Sequence, residues 1–170
     1  VKALCAAITL SIFLGTSVVV LAAEEINENI DMSYLKEFTF EAGREDSLTE
    51  KKLELVKKYG ADRISLNPQT FNENTLKKVN RNFNRENFDR YFREMNFIIN
   101  MDLIIGLPDE NTEDVLYTLN ELEKYDIENL TIHSLAFKRA SKLFKEDKNR
   151  KELDREIIEK RIKELIEKKQ

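Results

Sequence analysis

A chain of 170 residues has room for one domain of ordinary size, and 41% hydrophobic with 35% charged residues, alongside 4 Gly and 2 Pro, excludes collagenous, low-complexity and disulfide-rich classes. The net charge of -4 offers no broad basic field to hold a polyanion, so nucleic acid is not an expected partner. With Cys5 and His133 each the single residue of its type, no cysteine cluster, zinc finger or internal disulfide can be built from this chain alone.

The charge is unevenly placed: Lys2 is the only charged residue among the first 23. Ala3 to Ala23 is a 21-residue run without a charge, long enough as a helix to cross the bilayer's hydrocarbon. One lysine, an apolar stretch and small residues at Ala22 and Ala23 before Glu24 and Glu25 match the plan of a signal peptide or anchor. The same run also fits a buried helix, or a stretch of foreign reading frame. The expected organisation is therefore an apolar leader over 1–23, a folded domain over 24–144 and a charged helix over 145–170.

From Glu24 onward strand and helix patterns alternate. Lys36 to Glu41 alternates as a strand, and Ser47-Leu-Thr-Glu50 reads as a capping box opening a helix that ends near Gly60. Arg63 to Asn67 is a second strand, succeeded by helical periods over Glu73–Val79 and from Arg85 to about Met95. Ile98 to Ile105 is a third strand ending in the turn Gly106-Leu107-Pro108. Thr112 to Tyr125 is an amphipathic helix carrying Val115, Leu116, Leu119 and Leu122 on one side, and Asn129 to Leu135 is a fourth strand. Strands joined by such helices pair in parallel, which makes the fold α/β. The tail from Lys145 to Gln170 holds 18 charged residues in 26, with Leu153, Ile157, Ile158, Ile162, Leu165 and Ile166 at helical spacing, the pattern of a surface helix.

Parallel strands covered on both faces read as continuous apolar runs, yet these alternate. One face gathers Phe38, Phe40, Ile64, Leu66, Ile99, Met101, Leu103, Ile105, Leu130 and Ile132. The other carries Glu37, Thr39, Glu41, Arg63, Ser65, Asn67, Gln69, Asn100, Asp102, Thr131 and His133. An incomplete (βα) barrel whose polar lumen holds a polar ligand reconciles the two, with Glu41, Gln69 and Asp102 near the carboxyl ends of strands, where such folds keep their sites. An open sheet with one face in water is the alternative. Asp102, amid Ile, Met and Leu, is costly to bury unless something pairs with it. The carboxylates around Arg44, Glu45 and Asp46 fit the acidic entry to a helix better than acid/base catalysis, and His133 has no nucleophile at a readable spacing.

Four ordered segments, Glu37-Phe-Thr-Phe-Glu-Ala-Gly-Arg-Glu-Asp46, Asp62-Arg-Ile-Ser-Leu-Asn-Pro-Gln-Thr70, Asn100-Met-Asp-Leu-Ile-Ile-Gly-Leu-Pro108 and Asn129 to Ser141, resemble the oxygen-independent coproporphyrinogen III oxidase (dehydrogenase) family of radical S-adenosylmethionine enzymes. The resemblance runs from about Glu24 to the C-terminus. It implies a six-stranded partial barrel of which the four strands above are the third to sixth, and a cytoplasmic location, whereas a genuine leader would imply export or anchoring. It also implies that Glu41, Gln69, Arg81 and Asp102 hold S-adenosylmethionine: carboxylates accept from ribose hydroxyls or the ammonium, Arg81 grips the carboxylate, and Gln69 does either. In that family a 4Fe-4S cluster cleaves S-adenosylmethionine, and the 5'-deoxyadenosyl radical drives oxidative decarboxylation of coproporphyrinogen III to protoporphyrinogen IX. The three-cysteine cluster loop has no counterpart here, and the segment from Phe88 to Asp102 is about one helical turn short. The resulting expectation is part of a radical enzyme of heme biosynthesis, inactive without that loop. A membrane-tethered or exported, non-catalytic nucleoside-binding module is the second reading.

Overall fold

The computed structural model describes residues 7–11, 24–25, 28–29, 35–43, 48–94, 96–135 and 151–168. The elements in chain order are β1 (Ala7–Ser11), β2 (Glu37–Gly43), α1 (Glu50–Lys58), β3 (Arg63–Gln69), α2 (Glu73–Lys78), α3 (Arg85–Glu94), β4 (Ile98–Ile105), α4 (Thr112–Leu122), β5 (Asn129–Ser134) and α5 (Arg155–Glu167). The strands form one sheet in the order β1-β2-β3-β4-β5. β1 pairs with β2, and β2 with β3, in parallel. Asp62 N–H donates to Phe38 O, Ile98 N–H to Asp62 O and Glu128 N–H to Ile99 O, so β2 to β5 enter the sheet from one end. The α/β class and the four expected strands agree with the sequence pattern.

Two expectations are corrected. Ala7–Ser11, expected within an apolar helix, is a strand. Its Ala-Ile-Thr-Leu-Ser sequence alternates, and the backbone edge of β2 offers a row of partners that outweighs a helical tendency. The rest of the proposed leader, 1–6 and 12–23, lies outside the described residues, as do Arg44 to Ser47. Among the described residues no helix is long and apolar enough to cross a membrane. The cap of α1 is Thr49, whose side chain accepts from Lys52 N–H. Both Ser47 and Thr49 suit an N-cap locally, so sequence alone does not choose between them.

The chain divides into two compact units, one of residues 1–67, 84–101 and 127–130, the other of 68–83, 102–126 and 131–170. In the first, the strand residues Phe38, Phe40, Ile64, Leu66, Ile99 and Met101 are buried together with Leu53 and Val56 of α1 and Phe88 of α3. Each such side chain contributes roughly 1.5–3 kcal/mol. Helix α1 ends in a Schellman motif, with Ala61 N–H on Val56 O, Gly60 N–H on Lys57 O, and Gly60 at φ 89°.

In the second unit Leu76, Leu103, Leu107, Val115, Leu119, Leu122, Ile158 and Leu165 form the core. Phe71 stacks on Tyr125 with ring centroids 5.7 Å apart and meets Phe83 edge-on at 5.3 Å. Helix α4 opens with a full capping box between Asn111 and Asp114. Helix α5 packs on α4. Arg161 Nε donates to Asn120 Oδ1 at 2.8 Å, and Glu123 pairs with both Lys168 and Arg161, which hold its carboxyl below the usual range.

Candidate functional site

The second unit carries the carboxyl end of β3, and Gln69 is its most unusual residue. Its φ is 70°, in the left-handed region that costs an L-residue roughly 1–2 kcal/mol. The side chain is buried, and its Oε1 has no hydrogen-bond partner among the described residues. A strained backbone beside a buried, unpaired acceptor is an arrangement proteins retain at ligand sites.

The residues just past Gln69 are tightly held. Thr70 is fully buried, and its hydroxyl accepts from Asn72 N–H at 3.2 Å, meets Thr118 Oγ1 at 2.9 Å and donates to Glu110 Oε1 at 3.2 Å. Phe71 N–H donates to Thr118 Oγ1. The other oxygen of Glu110 accepts from Gly106 N–H at 3.0 Å and Leu107 N–H at 3.2 Å, closing the turn after β4. Burial pushes the Glu110 carboxyl up, with Asp114 adding to the push and the two amides and Thr70 opposing it. Because Oε2 takes both amides, a proton on Glu110 belongs on Oε1, facing Thr70. The two hydroxyls then satisfy themselves in either direction, Thr118 to Thr70 to the ionised carboxylate, or the neutral acid to Thr70 to Thr118.

This network was absent from the sequence expectations, which took Gly106-Leu107-Pro108 as a simple turn. The available signal was weak: Thr118 sits one position before Leu119 of the apolar stripe, and Glu110 comes two positions after Pro108 of the turn.

The expected ligand residues divide between the two units. Arg81, half-buried, is fixed at the end of α2 by a Schellman motif: its N–H bonds Leu76 O while Asn80, at φ 54°, bonds Lys77 O. Asp102 is half-buried in β4 between the fully buried Met101 and Leu103 of the opposite face. Gln69, Arg81 and Asp102 belong to the second unit, whereas Glu41 belongs to the first. Glu41 is half-buried in β2, opposite Ser11 and Ser65, where the register shifts between Glu41 and Gly43. Such a bulge re-aims the strand at its carboxyl end. His133 is exposed on β5.

The first unit shows what else fills the polar strand face. Arg63 is buried, donating from Nη1 to Asn100 Oδ1 at 2.8 Å and from Nη2 to Glu128 Oε1 at 3.1 Å. Its Nε lies 3.1 Å from Glu37 Oε2 as an ion pair, off the angle a hydrogen bond requires. The amino ends of the strands are therefore tied by the protein's own charges.

No group of three or more His, Cys, Asp or Glu side chains suited to a metal occurs among the described residues. A chain with a single cysteine cannot supply the three thiolates of a site-bound 4Fe-4S cluster, so the residues present do not fit that group. The unpaired Gln69 Oε1 does fit a polar organic ligand with a donor to offer.

Comparison with known proteins gives a match to the radical SAM superfamily over residues 15–122. The chain is 39% identical over 86% of its length to the oxygen-independent coproporphyrinogen-III oxidase-like protein HemZ of Bacillus subtilis, and 31% identical over 68% to the heme chaperone HemW of the same organism. It spans 30% and 33% of those two proteins. Among solved structures, coproporphyrinogen III oxidase (HemN) of Escherichia coli aligns at a TM-score of 0.70 and 22% identity, over 91% of this chain and 36% of that one, a likeness of fold.

Proposed function

We propose, since this chain belongs to the radical SAM superfamily, that it forms the S-adenosylmethionine-binding part of a barrel acting in tetrapyrrole metabolism. The observation that carries the reading is the buried, left-handed Gln69 with its unpaired Oε1. A donor on the ligand, an ammonium or a ribose hydroxyl, satisfies that oxygen and removes the desolvation cost of leaving it unpaired. Arg81 offers a planar fork to the methionine carboxylate, and Asp102 accepts from ribose hydroxyls or the ammonium.

The substrate class is drawn from the sequence relatives' names: coproporphyrinogen III and heme, the molecules named there, are both tetrapyrroles. Oxidative decarboxylation of coproporphyrinogen III is the finer reading, supported by the stronger of the two sequence likenesses. No radical step is assigned to the residues present, because the cluster that supplies one-electron reduction has no ligand set among them. These residues bind and orient.

Calorimetric titration with S-adenosylmethionine tests the reading. Saturable binding that weakens in Gln69→Ala and Arg81→Ala supports it. A flat titration at millimolar ligand, with the chain folded, overturns it. Anaerobic reconstitution with iron and sulfide, then assay for 5'-deoxyadenosine, tests the absence of a cluster site: no product is expected.

A further inference from the structure

We infer that Glu110 is a positioning residue for this site, tying the turn after β4 to Thr70 and thereby holding Gln69 in its left-handed, unpaired conformation. The consequence for binding rests on the proposed reading of Gln69, while the brace itself is a matter of geometry.

Gln69 cannot hold its own conformation, because its backbone is strained and its Oε1 gains no hydrogen bond in return. The restraint has to come from its neighbours. On one side Pro68 fixes its own φ. On the other, Thr70 is anchored at three points, by Asn72 N–H, Thr118 and Glu110, and the next residue, Phe71, is anchored to Thr118. Glu110 is the hub of this anchorage, since its second oxygen collects the amides of Gly106 and Leu107. One carboxylate thus fixes the last turn of one strand against the first residue past another. Two carboxylate oxygens with three donors, at the junction of two chain segments 40 positions apart, leave the intervening backbone little freedom.

The chemistry also predicts which replacements preserve the brace. A glutamine at 110 keeps an oxygen for the two amides and presents an NH2 donor to Thr70, whose hydroxyl then points to Thr118. An alanine leaves both amides and Thr70 without that partner.

The test uses the full chain, labelled with 15N, in Glu110→Ala, Glu110→Gln, Thr70→Val and Thr70→Ser variants. The amide shift and HN–Hα coupling of Gln69 report its backbone, and titration with S-adenosylmethionine reports affinity. Glu110→Ala and Thr70→Val are expected to move the Gln69 signals toward an extended φ and to weaken binding about tenfold, roughly the value of one lost restraint. Glu110→Gln and Thr70→Ser are expected to leave both near those of the unmodified chain. Gln69 signals that stay put in a folded Thr70→Val variant overturn the inference, even if stability falls. If Glu110→Ala does not fold, Thr70→Val decides alone. If the unmodified chain does not bind S-adenosylmethionine, the proposed function fails, and the coupling measurement still judges the brace.

Discussion

Thr70 and Glu110, 40 positions apart, meet at 3.2 Å inside one compact unit, and through that contact the end of β3 and the turn after β4 share a single carboxylate. Removing that carboxylate strands two amides and a hydroxyl. At about 1–3 kcal/mol for each buried donor left unpaired, partly relieved by water entering the gap, Glu110→Ala is expected to destabilise the chain by about 3 kcal/mol. Glu110→Gln is expected to cost less than about 1 kcal/mol. Urea unfolding of the two variants checks the contrast, and equal losses would mean that the hydrogen bonds do not carry the effect.

The same residue gives stability a pH dependence of defined sign. The folded carboxyl is raised above its ordinary range, first by burial and then by Asp114, so the folded chain binds this proton more tightly than the unfolded chain does. Its contribution is full below the ordinary glutamate range and is lost as pH rises through the raised value. Stability should therefore fall over that window in the unmodified chain by an amount that Glu110→Gln abolishes. Unfolding free energies of the two proteins, compared from about pH 4 to about pH 8, isolate the group. The stability of the unmodified chain relative to Glu110→Gln should rise on acidification; a fall has the wrong sign and removes burial as the dominant cause.

Arg63 makes a separable prediction. Its guanidinium is buried while its partners Glu37 and Glu128 keep side-chain exposures of 40% and 57%. Truncation at 63 leaves carboxylates that water can reach, so the loss stays below the roughly 3–5 kcal/mol typical of breaking a fully buried pair. Arg63→Ala is expected to cost about 2 kcal/mol, and Arg63→Lys to recover only part, because one ammonium cannot span Asn100, Glu128 and Glu37 together. Affinity for S-adenosylmethionine should not change beyond about twofold. A larger change would assign Arg63 to the ligand rather than to the strand ends.

Sequence periodicity located β2 to β5 and α1 to α4 because those signals are local: alternation for half-buried strands and 3.6-residue spacing for helices. β1 was hidden because its five-residue alternation of Ile8 and Leu10 with Thr9 and Ser11 is submerged in a 21-residue uncharged run whose length reads as a helix, and the choice falls to pairing with β2. Gln69 and Asp102 were legible as polar residues on an otherwise apolar pattern. Glu110 was not, since a glutamate after a Gly-Leu-Pro turn looks solvated until Thr70 meets it from 40 positions away in the chain. The left-handed φ of Gln69 was equally unreadable, as glutamine has no preference for that region and only tertiary restraint imposes it.

That imposed conformation separates stability from binding at position 69. Gln69→Gly removes the left-handed cost of roughly 1 kcal/mol and the buried unpaired oxygen, against about 0.5–1 kcal/mol of extra unfolded-state entropy. The variant should be at least as stable as the unmodified chain while binding S-adenosylmethionine about fivefold to tenfold more weakly, the value of one hydrogen bond to the ligand. Gln69→Val reverses the first effect, since a β-branched residue at φ near 70° is strained by about 1–3 kcal/mol, and should both melt lower and bind poorly. Thermal melting and calorimetry on the two variants together check the point. A glycine variant less stable than the valine variant would show that the backbone at 69 is not left-handed in solution.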